Sequence, residues 1–330
     1  MPQSASDRPG DPGAGGFRRI AVVGPGALGC LLAARLSRLA PAPLWLLDHD
    51  PTRAEEVDRS GLCLETAGRT ERFPVRATAD PNRIGPVDLV LFTVKSTAVR
   101  AAIPSLLPLL GSQSLLLAFQ NGIGHLGPLA DAGLPGILGL AVTTMGATLL
   151  APGQARFGGA GRTMLGAASN SPGERERARL VQAAVLFNAA GMEAMVSDDI
   201  LTQVWNKLLA NVGINALTAI HGCENGGLLQ RPEALRLLRA AVQEAAAIGR
   251  AKGISLSAEP VEWVLSVCRA TAGNISSMLQ DVRRRRPTEI DAINGAVVAE
   301  ARRLGLPCAA NQELVREIKA LESAYLADFP

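Results

Sequence analysis

The chain has 330 residues, a hydrophobic content of 48% and a formal net charge of +3. This length accommodates two domains with hydrophobic cores, and the apolar content excludes an intrinsically disordered chain. The small net charge argues against a dedicated nucleic-acid binder. Five scattered cysteines without CxxC spacing indicate reduced thiols, and His221 with Cys223 lacks the further ligands of a metal site.

The first elements in the chain predict a dinucleotide-binding fold. Residues 1–17 are rich in Pro, Gly, Ser and Asp, so we expect a flexible extension without a secretion signal on a soluble, cytoplasmic protein. A buried strand at 19–23 runs into Gly24-Pro-Gly-Ala-Leu-Gly29 and a helix at about 27–39. In GxGxxG loops the first glycine makes the turn, the second admits the pyrophosphate and the third packs the helix. The predicted cofactor loop is therefore Gly24, Gly26, Ala27, Leu28 and Gly29.

The second strand, 44–47, ends at Asp48, 19 positions after Gly29. A carboxylate there accepts a hydrogen bond from a free ribose hydroxyl and repels a 2′-phosphate, which favours NADH. Arg53 is a cation that could instead cover the adenosine of NADPH.

The rest of the first half alternates strands and helices, as a doubly wound sheet does. Residues 62–66 and 73–77 are expected to form a hairpin, and further strands are predicted at 87–94, 115–119, 137–142, 155–158 and 163–166, with a helix at 172–190. Lys95 and Asn121 follow two of these strands. Because ligands of open α/β folds bind at the carboxyl ends of the strands, both are candidate cofactor contacts.

After Ser197 the pattern becomes helical, so we predict a dinucleotide-binding domain at 18–197 and a helical substrate domain at 198–330. Pro260 and Pro287 are expected to open helices. Thr288 would cap the second of these helices, with Asp291 three residues later, and Glu289 would lie in its first turn. A cleft between the two domains would hold the ligands.

A polar stripe formed by Lys207, Asn211 and Asn215 crosses an otherwise apolar segment, residues 204–220. Positions four apart lie on nearly one face of a helix, so an amine and two amides would line one wall and could bind and protonate a ligand. The alternative is a lysine that extends to the surface beside amides that pair with each other or with backbone.

Four blocks of residues 19–325 resemble the ketopantoate reductase (2-dehydropantoate 2-reductase) family of the 6-phosphogluconate-dehydrogenase-like superfamily. They are Ile20 to Gly29, Asn121-Gly122, Trp205-Asn-Lys-Leu208 with Asn215-Ala-Leu-Thr-Ala219, and Asn274-Ile-Ser-Ser-Met-Leu-Gln-Asp281 with Thr288-Glu-Ile-Asp291 and Asn294-Gly295. The resemblance implies a Rossmann-like doubly wound sheet followed by an all-helical domain. It also implies reduction of the ketone of 2-dehydropantoate by NADPH, in pantothenate and coenzyme A biosynthesis.

The resemblance also implies roles for individual residues. Lys207 would be the general acid, with Asn211 and Asn215 holding substrate oxygens. Asn274 and Ser277, expected one turn apart on a second helix, would bind substrate. Asn121 would touch cofactor and substrate, and Glu289 would bind cofactor or substrate groups. His49, His125 and His221 lie in no motif with a carboxylate partner, so lysine is the better acid.

Asp48 departs from the family pattern, since NADPH-using relatives often have arginine at this position. NADP(H) is the first choice and NAD(H) the alternative. Two other functions stay open: a related reductase of another 2-oxo acid or β-hydroxy acid, and a non-catalytic dinucleotide-binding sensor. The substrate would be a small 2-oxo acid, without nucleic-acid or membrane partners, and the protein a monomer or homodimer.

Overall fold

The computed structural model describes residues 16–169 and 171–326. The predicted N-terminal extension, 1–17, lies outside this part except for its last two residues. Phe17 is buried, and the guanidinium carbon of Arg179 lies 4.2 Å from the centroid of its ring. The packed structure therefore includes Phe17, which the composition alone had assigned to the extension.

The described residues form twelve strands and eleven α-helices. The strands are β1 Ile20–Val23, β2 Trp45–Leu47, β3 Leu62–Thr66, β4 Arg69–Phe73, β5 Arg76–Thr78, β6 Val87–Phe92, β7 Leu110–Ala118, β8 Ile137–Thr143, β9 Gly146–Ala151, β10 Gln154–Gly159, β11 Thr163–Ala167 and β12 Ala194–Val196. The helices are α1 Ala27–Ser37, α2 Pro51–Ser60, α3 Val99–Leu106, α4 Leu126–Asp131, α5 Glu174–Ala189, α6 Ile200–His221, α7 Pro232–Ala251, α8 Pro260–Ala270, α9 Ser277–Arg283, α10 Asn294–Leu304 and α11 Ala309–Leu326.

The main sheet has eight strands in the order β12-β11-β8-β7-β6-β1-β2-β5. All neighbours pair in parallel except β8 and β11, which are antiparallel. Strands β1, β6 and β7 lie at its centre, and β1, β6 and the second half of β7, residues 115–118, consist almost wholly of buried apolar residues, as parallel strands covered on both faces do. The predicted Rossmann-like sheet is confirmed, and its carboxyl edge collects the ends of β1, β2, β6, β7 and β8.

A second sheet of four strands, β4-β3-β10-β9, packs on α1. The predicted hairpin is correct in its first arm and wrong in its second. In the structure the second arm of the hairpin is β4, where Phe73 pairs with Leu62 and Arg69 with Thr66. The residues from Arg76 onward belong to β5 and pair with β2 of the main sheet instead. Strands β9 and β12 were not predicted at all.

Two hydrophobic cores lie on opposite faces of the main sheet. One lies between the sheet, α1, α5 and the second sheet. The other begins at residues such as Phe92 and Leu116 and continues without interruption through α6 into the helices of the second half. Helix α6 also packs directly on β8 and β11. The sheet and the helical half thus share a core.

Helix α6 carries the predicted polar stripe and has well-defined ends. Asp199 caps it by accepting a hydrogen bond from Thr202 N at 3.0 Å, and Gly222 ends it with φ of +61°. The last strand, β12, ends at Val196, close to the predicted boundary at Ser197. The division into two separate domains stays a prediction. The two halves share one hydrophobic core.

Pro260 opens α8, as predicted. The prediction that Pro287 opens a helix is wrong, since residues 290–293 form turns and α10 starts at Asn294. The reason lies in long-range pairing: both the amide and the hydroxyl of Thr288 donate to Glu322 on α11, at 2.7 Å. Glu289 therefore lies in an irregular segment and not in a first helical turn.

None of the helices in the described part of the chain is both long and apolar enough to cross a membrane.

Candidate active site

The glycine-rich loop between β1 and α1 has the geometry of a phosphate site. The first helical hydrogen bond of α1 runs from Cys30 N to Gly26 O at 2.9 Å. Consequently, the amides of Ala27, Leu28 and Gly29 have no backbone acceptor among the described residues. Free amides at a helix N-terminus attract phosphate through hydrogen bonds and the helix dipole.

Each glycine of the loop has a separate reason to lack a side chain. Gly24 has φ of +85°, and a Cβ there would lie 2.6 Å from Val94. At Gly29 a Cβ would lie 2.6 Å from both Gly24 O and Thr93 Oγ1. A Cβ at Gly26 would meet nothing within 4 Å. Gly24 and Gly29 are therefore required by the fold, whereas the open space at Gly26 suits the approach of a pyrophosphate.

Asp48 follows β2 at the same edge of the sheet and is buried. Its Oδ1 accepts hydrogen bonds from Arg53 Nη2 and from Asp50 N. Oδ2 has no hydrogen-bond partner among the described residues. Position 48 therefore offers a free carboxylate oxygen to a ribose hydroxyl, and Arg53 beside it offers a cation to a phosphate.

Polar residues that follow β6 and β7 reach across to the helical half. Lys95 Nζ lies 2.6 Å from Asp281 Oδ1 on α9. Glu289 Oε1 accepts from the amide of Ser96 at 2.9 Å and from its hydroxyl at 2.8 Å, and Glu289 Oε2 accepts from Asn121 Nδ2 at 3.0 Å. The structure thus brings together the predicted residues Asn121 and Glu289, and places Lys95 beside them.

A backbone contact fixes the distance between the two halves at this point. Gly122 has φ of +77°, and a Cβ there would lie 2.0 Å from the carbonyl oxygen of Ala292. The same oxygen accepts a hydrogen bond from Ile123 N at 3.1 Å. The loop after β7 and the segment that carries Glu289 therefore touch through main chain, which only glycine permits.

Lys207 lies on the second turn of α6 and faces a narrow cleft that Asn121 also lines, together with Gln120, Gly122, Ala141, Val142 and Val204. Its Nζ donates to the carbonyl oxygen of Thr143, at the end of β8, at 2.9 Å. Burial lowers the pKa of Lys207 from 10.5 to about 8, and the carboxylate of Glu289 opposes this shift in part. A lysine with a pKa near neutrality is well suited to donate a proton.

Asn211 and Asn215 lie one and two turns further along α6. Asn215 is buried and Asn211 half-buried. Neither side-chain amide has a hydrogen-bond partner within residues 16–169 and 171–326. The alternative in which these amides pair with each other or with backbone is therefore not what the structure has. They are available to a ligand.

The sequence interpretation placed Asn274 and Ser277 one turn apart on a helix, but in the structure only Ser277 is helical. Asn274 is exposed in the turn before α9, where its carbonyl accepts from Asn225 N at 3.0 Å, and Ser277 is the exposed first residue of α9. The adjacent Ser276 is buried and reaches α6, with its hydroxyl 2.7 Å from that of Thr218. Substrate binding by Asn274 and Ser277 stays a prediction.

The histidines do not offer a better acid. His125 is buried, and burial lowers its pKa to about 4 although Glu289 raises it, so the imidazole is neutral at physiological pH. His49 does have a carboxylate partner, contrary to the sequence interpretation: its Nδ1 lies 3.3 Å from Asp48 Oδ1. This exposed ring lies at the adenosine end of the predicted cofactor site. The part of the chain that the structure describes contains no group of three or more His, Cys, Asp or Glu suited to a metal.

Sequence reasoning missed Ser96, Asp281 and Thr143. Ser96 follows Lys95 and shares its position at the carboxyl edge, so the same strand-end argument could have found it. Asp281 ends one of the blocks that resemble the family but has no local signal for a partner 186 residues away. Thr143 acts through its carbonyl oxygen, so its side chain could give no signal.

Comparison with known proteins decides the family. The family described as "Ketopantoate reductase PanE/ApbA" matches residues 20–170, and its C-terminal part, "Ketopantoate reductase PanE/ApbA C terminal", matches residues 199–322. A 2-dehydropantoate 2-reductase of Vibrio cholerae is 35% identical over 309 residues, 93% of this chain and 98% of that protein. The chain belongs to the ketopantoate reductase family.

Other members agree with this assignment. A 2-dehydropantoate 2-reductase of Halobacterium salinarum is 35% identical over 288 residues, 86% of this chain and 92% of that protein. The crystal structure of a PanE/ApbA family ketopantoate reductase from Ralstonia eutropha superposes with a TM-score of 0.83 at 30% identity, covering 93% of this chain and 99% of that one. The ketopantoate reductase resemblance is confirmed, and with it the class of dinucleotide-dependent oxidoreductases.

Proposed function

We propose that this chain is a 2-dehydropantoate 2-reductase, which reduces the C2 ketone of 2-dehydropantoate to pantoate in pantothenate biosynthesis. The single observation that carries the proposal is Lys207. It is a partly buried lysine with a lowered pKa in the cleft between the sheet and the helical half, beside two free asparagine amides on the same helix face.

In the proposed mechanism Lys207 protonates the ketone oxygen. Its ammonium group first stabilises the negative charge that develops there, and then donates a proton to yield the hydroxyl. The Thr143 carbonyl holds Nζ in the cleft, and Glu289 favours the charged form. When bound, the reduced nicotinamide supplies the hydride to C2.

Asn211 and Asn215 would hold the substrate's hydroxyl and carboxylate oxygens, because amides can donate and accept hydrogen bonds. Asn274 and Ser277, at the start of α9, would complete the substrate contacts from the opposite wall. Asn121, Lys95 and Glu289 would contact the cofactor near the cleft, where ligand groups would replace their present partners.

We propose NADPH as the hydride donor, with NADH as the alternative. The residues fit a dinucleotide: the free amides of Ala27, Leu28 and Gly29 and the open space at Gly26 suit a pyrophosphate. Arg53 supports NADPH, since its guanidinium could bind a 2′-phosphate. The free Oδ2 of Asp48 supports NADH. Cytoplasmic location and a monomeric or homodimeric state remain predictions.

The test is consumption of reduced dinucleotide by the purified protein with 2-dehydropantoate, measured in parallel with NADPH and NADH. Rapid turnover with pantoate as product supports the proposal and ranks the cofactors. A protein that binds the dinucleotide but does not turn over 2-dehydropantoate would refute it. A panel of short 2-oxo acids then separates a reductase of another substrate from a dinucleotide-binding sensor.

A further inference from the structure

The C-terminal helix, α11, makes a row of polar contacts with the segment that carries Glu289. Tyr325 donates its hydroxyl to Arg286 O at 2.9 Å, and Glu322 accepts both bonds from Thr288. Lys319 pairs with Asp291 Oδ2 at 2.5 Å, and Asn311 Oδ1 accepts from Asn294 Nδ2 at 3.0 Å. From the C-terminal to the N-terminal end of α11, the partner residues run from 286 to 294. The helix therefore supports the whole segment in antiparallel fashion.

Glu322 and Thr288 form the central contact of this row. Both are buried, with exposed fractions of 5% and 1%. One carboxylate oxygen of Glu322 accepts from the amide and the hydroxyl of Thr288, and the other lies 3.0 Å from Lys319 Nζ. Burial alone would raise the pKa of Glu322, but the hydrogen bonds from Thr288 and Lys319 outweigh burial. The pKa is therefore lowered overall, and the carboxyl group is ionised at neutral pH. Hydrogen bonds to an ionised, buried acceptor are among the stronger ones in proteins.

Thr288 immediately precedes Glu289, whose carboxylate crosses the cleft to Ser96 and Asn121. The segment has no helix of its own, since turns occupy 290–293. Its position must therefore come from its neighbours: Gly122 and Ile123 on one side, and α11 on the other. No residue of α11 is among the groups predicted to touch substrate or cofactor.

We propose that Glu322 is a positioning residue, which through Thr288 holds Glu289 at the cleft, and that α11 thereby sets the geometry of the active site from outside it. This inference rests on the proposed function, because it takes Glu289 to bind ligand. A misplacement of about 1 Å at a site can reduce turnover by up to about 10²-fold.

The test is a double-mutant cycle between Glu322→Ala and Glu289→Ala, with Glu322→Gln and Ser323→Ala alongside. Gln keeps an oxygen that can accept from Thr288. Ser323, the next residue of α11, is exposed and bonds only to Lys319 O within the described residues, so it controls for substitution in this helix. We expect kcat/KM to fall by about 10- to 100-fold in E322A, by less than about threefold in E322Q, and to be unchanged in S323A.

The cycle separates positioning from general structural support. If Glu322 acts through Glu289, then E322A causes no further loss in the E289A background. Additive losses, or an E322A protein with wild-type kcat/KM, would overturn the proposal. Should E322A fail to fold, Thr288→Ala takes its place in the cycle, because it removes one of the two bonds and leaves the carboxylate paired with Lys319.

Dinucleotide affinity provides a second readout that does not depend on the substrate. The Kd for NADPH, followed by its fluorescence, is measured for the wild type, E322A, E289A and the double variant. The same non-additivity is expected. A wild-type protein that does not reduce 2-dehydropantoate contradicts the proposed function alone. Additive effects on the Kd contradict the positioning role alone.

Discussion

Lys207 combines two properties that usually exclude each other, removal from water and a role for its charge. Ala141, Val142 and Val204 line its cleft, and Thr143 O is its only hydrogen-bond partner among the described residues. Its pKa in the folded chain is below the ordinary value, so the unfolded chain binds the proton more readily. At neutral pH this partly buried lysine therefore lowers the stability of the fold while it serves the chemistry.

Replacing Lys207 by Met should separate these two effects. We expect kcat with 2-dehydropantoate to fall by about 10²- to 10⁴-fold, because the general acid is lost. The melting temperature should be equal to or above that of the parent. Lys252→Met, which removes an exposed lysine paired with Glu300 at 2.6 Å, is the matched control and should keep full activity. Turnover of the Lys207 variant within a few-fold of the parent would exclude the acid role.

The pH dependence of kcat/KM should report the same residue. The acid must carry its proton, so activity is retained below the folded pKa and lost above it. With a pKa of about 8, we expect kcat/KM to decline above pH 8, and not above the pH of 10.5 that an ordinary lysine would give. Steady-state rates from pH 6 to 10 check this. An undiminished rate at pH 10, or an identical decline in the Lys207→Met variant, would contradict it.

Arg53 should decide cofactor preference together with Asp48. Arg53→Ala is expected to raise KM for NADPH by about tenfold, the size of one lost charge-assisted hydrogen bond. KM for NADH should change little, since the Asp48 carboxylate is left free to bind a ribose hydroxyl. Asp48→Arg, in contrast, should shift the cofactor preference of the wild-type protein toward NADPH. Equal effects on both cofactors would remove Arg53 from the adenosine site.

At the scale of elements, the glycine loop offers a direct contrast between folding and binding. Gly29→Ala places a Cβ against Gly24 O and Thr93 Oγ1, so we expect a loss of about 1–3 kcal/mol in the free energy of unfolding. Gly26→Ala meets no atom within 4 Å, and its φ of −74° suits alanine. It should unfold like the parent and bind NADPH at least tenfold more weakly. Denaturant unfolding and fluorescence titration of both variants distinguish the two roles.

Local patterns predicted the elements whose neighbours in sequence determine them. The central strands, the glycine loop and the α6 stripe follow from apolar runs and fixed spacings, and Lys95 and Asn121 follow from the rule for strand ends. The stripe predicted which face Lys207 shares with the two asparagines, but not the carbonyl of Thr143 that holds it.

Elements set by distant partners could not be predicted in this way. Whether residues 73–77 form one strand or parts of two depends on Leu62 and Trp45, which pair with different parts of that stretch. Pro287 has the local features of a helix start, but Glu322 takes the amide and hydroxyl of Thr288. For the same reason Glu289 was assigned to a helical turn, although it lies in a supported loop.

At the scale of the whole molecule, one core joins the two halves. Phe92 and Leu116 of the sheet belong to the same buried cluster as Trp205 of α6 and Leu238 of α7. We therefore expect a single calorimetric transition, with equal calorimetric and van't Hoff enthalpies. Two resolved transitions would show that 18–197 and 198–330 unfold independently. Bound NADPH should raise the midpoint without splitting the transition.

The backbone contact between Gly122 and Ala292 has a consequence for protein engineering. Since the two segments meet without intervening side chains, each atom added at position 122 would act as a spacer that forces them apart. A side chain at position 122 would thus widen the opening above Lys207 while leaving the acid itself in place, and truncating Ala292 could not compensate, because the atoms in contact belong to its backbone. Substrate range could then be varied from a position that contributes no functional group to the chemistry.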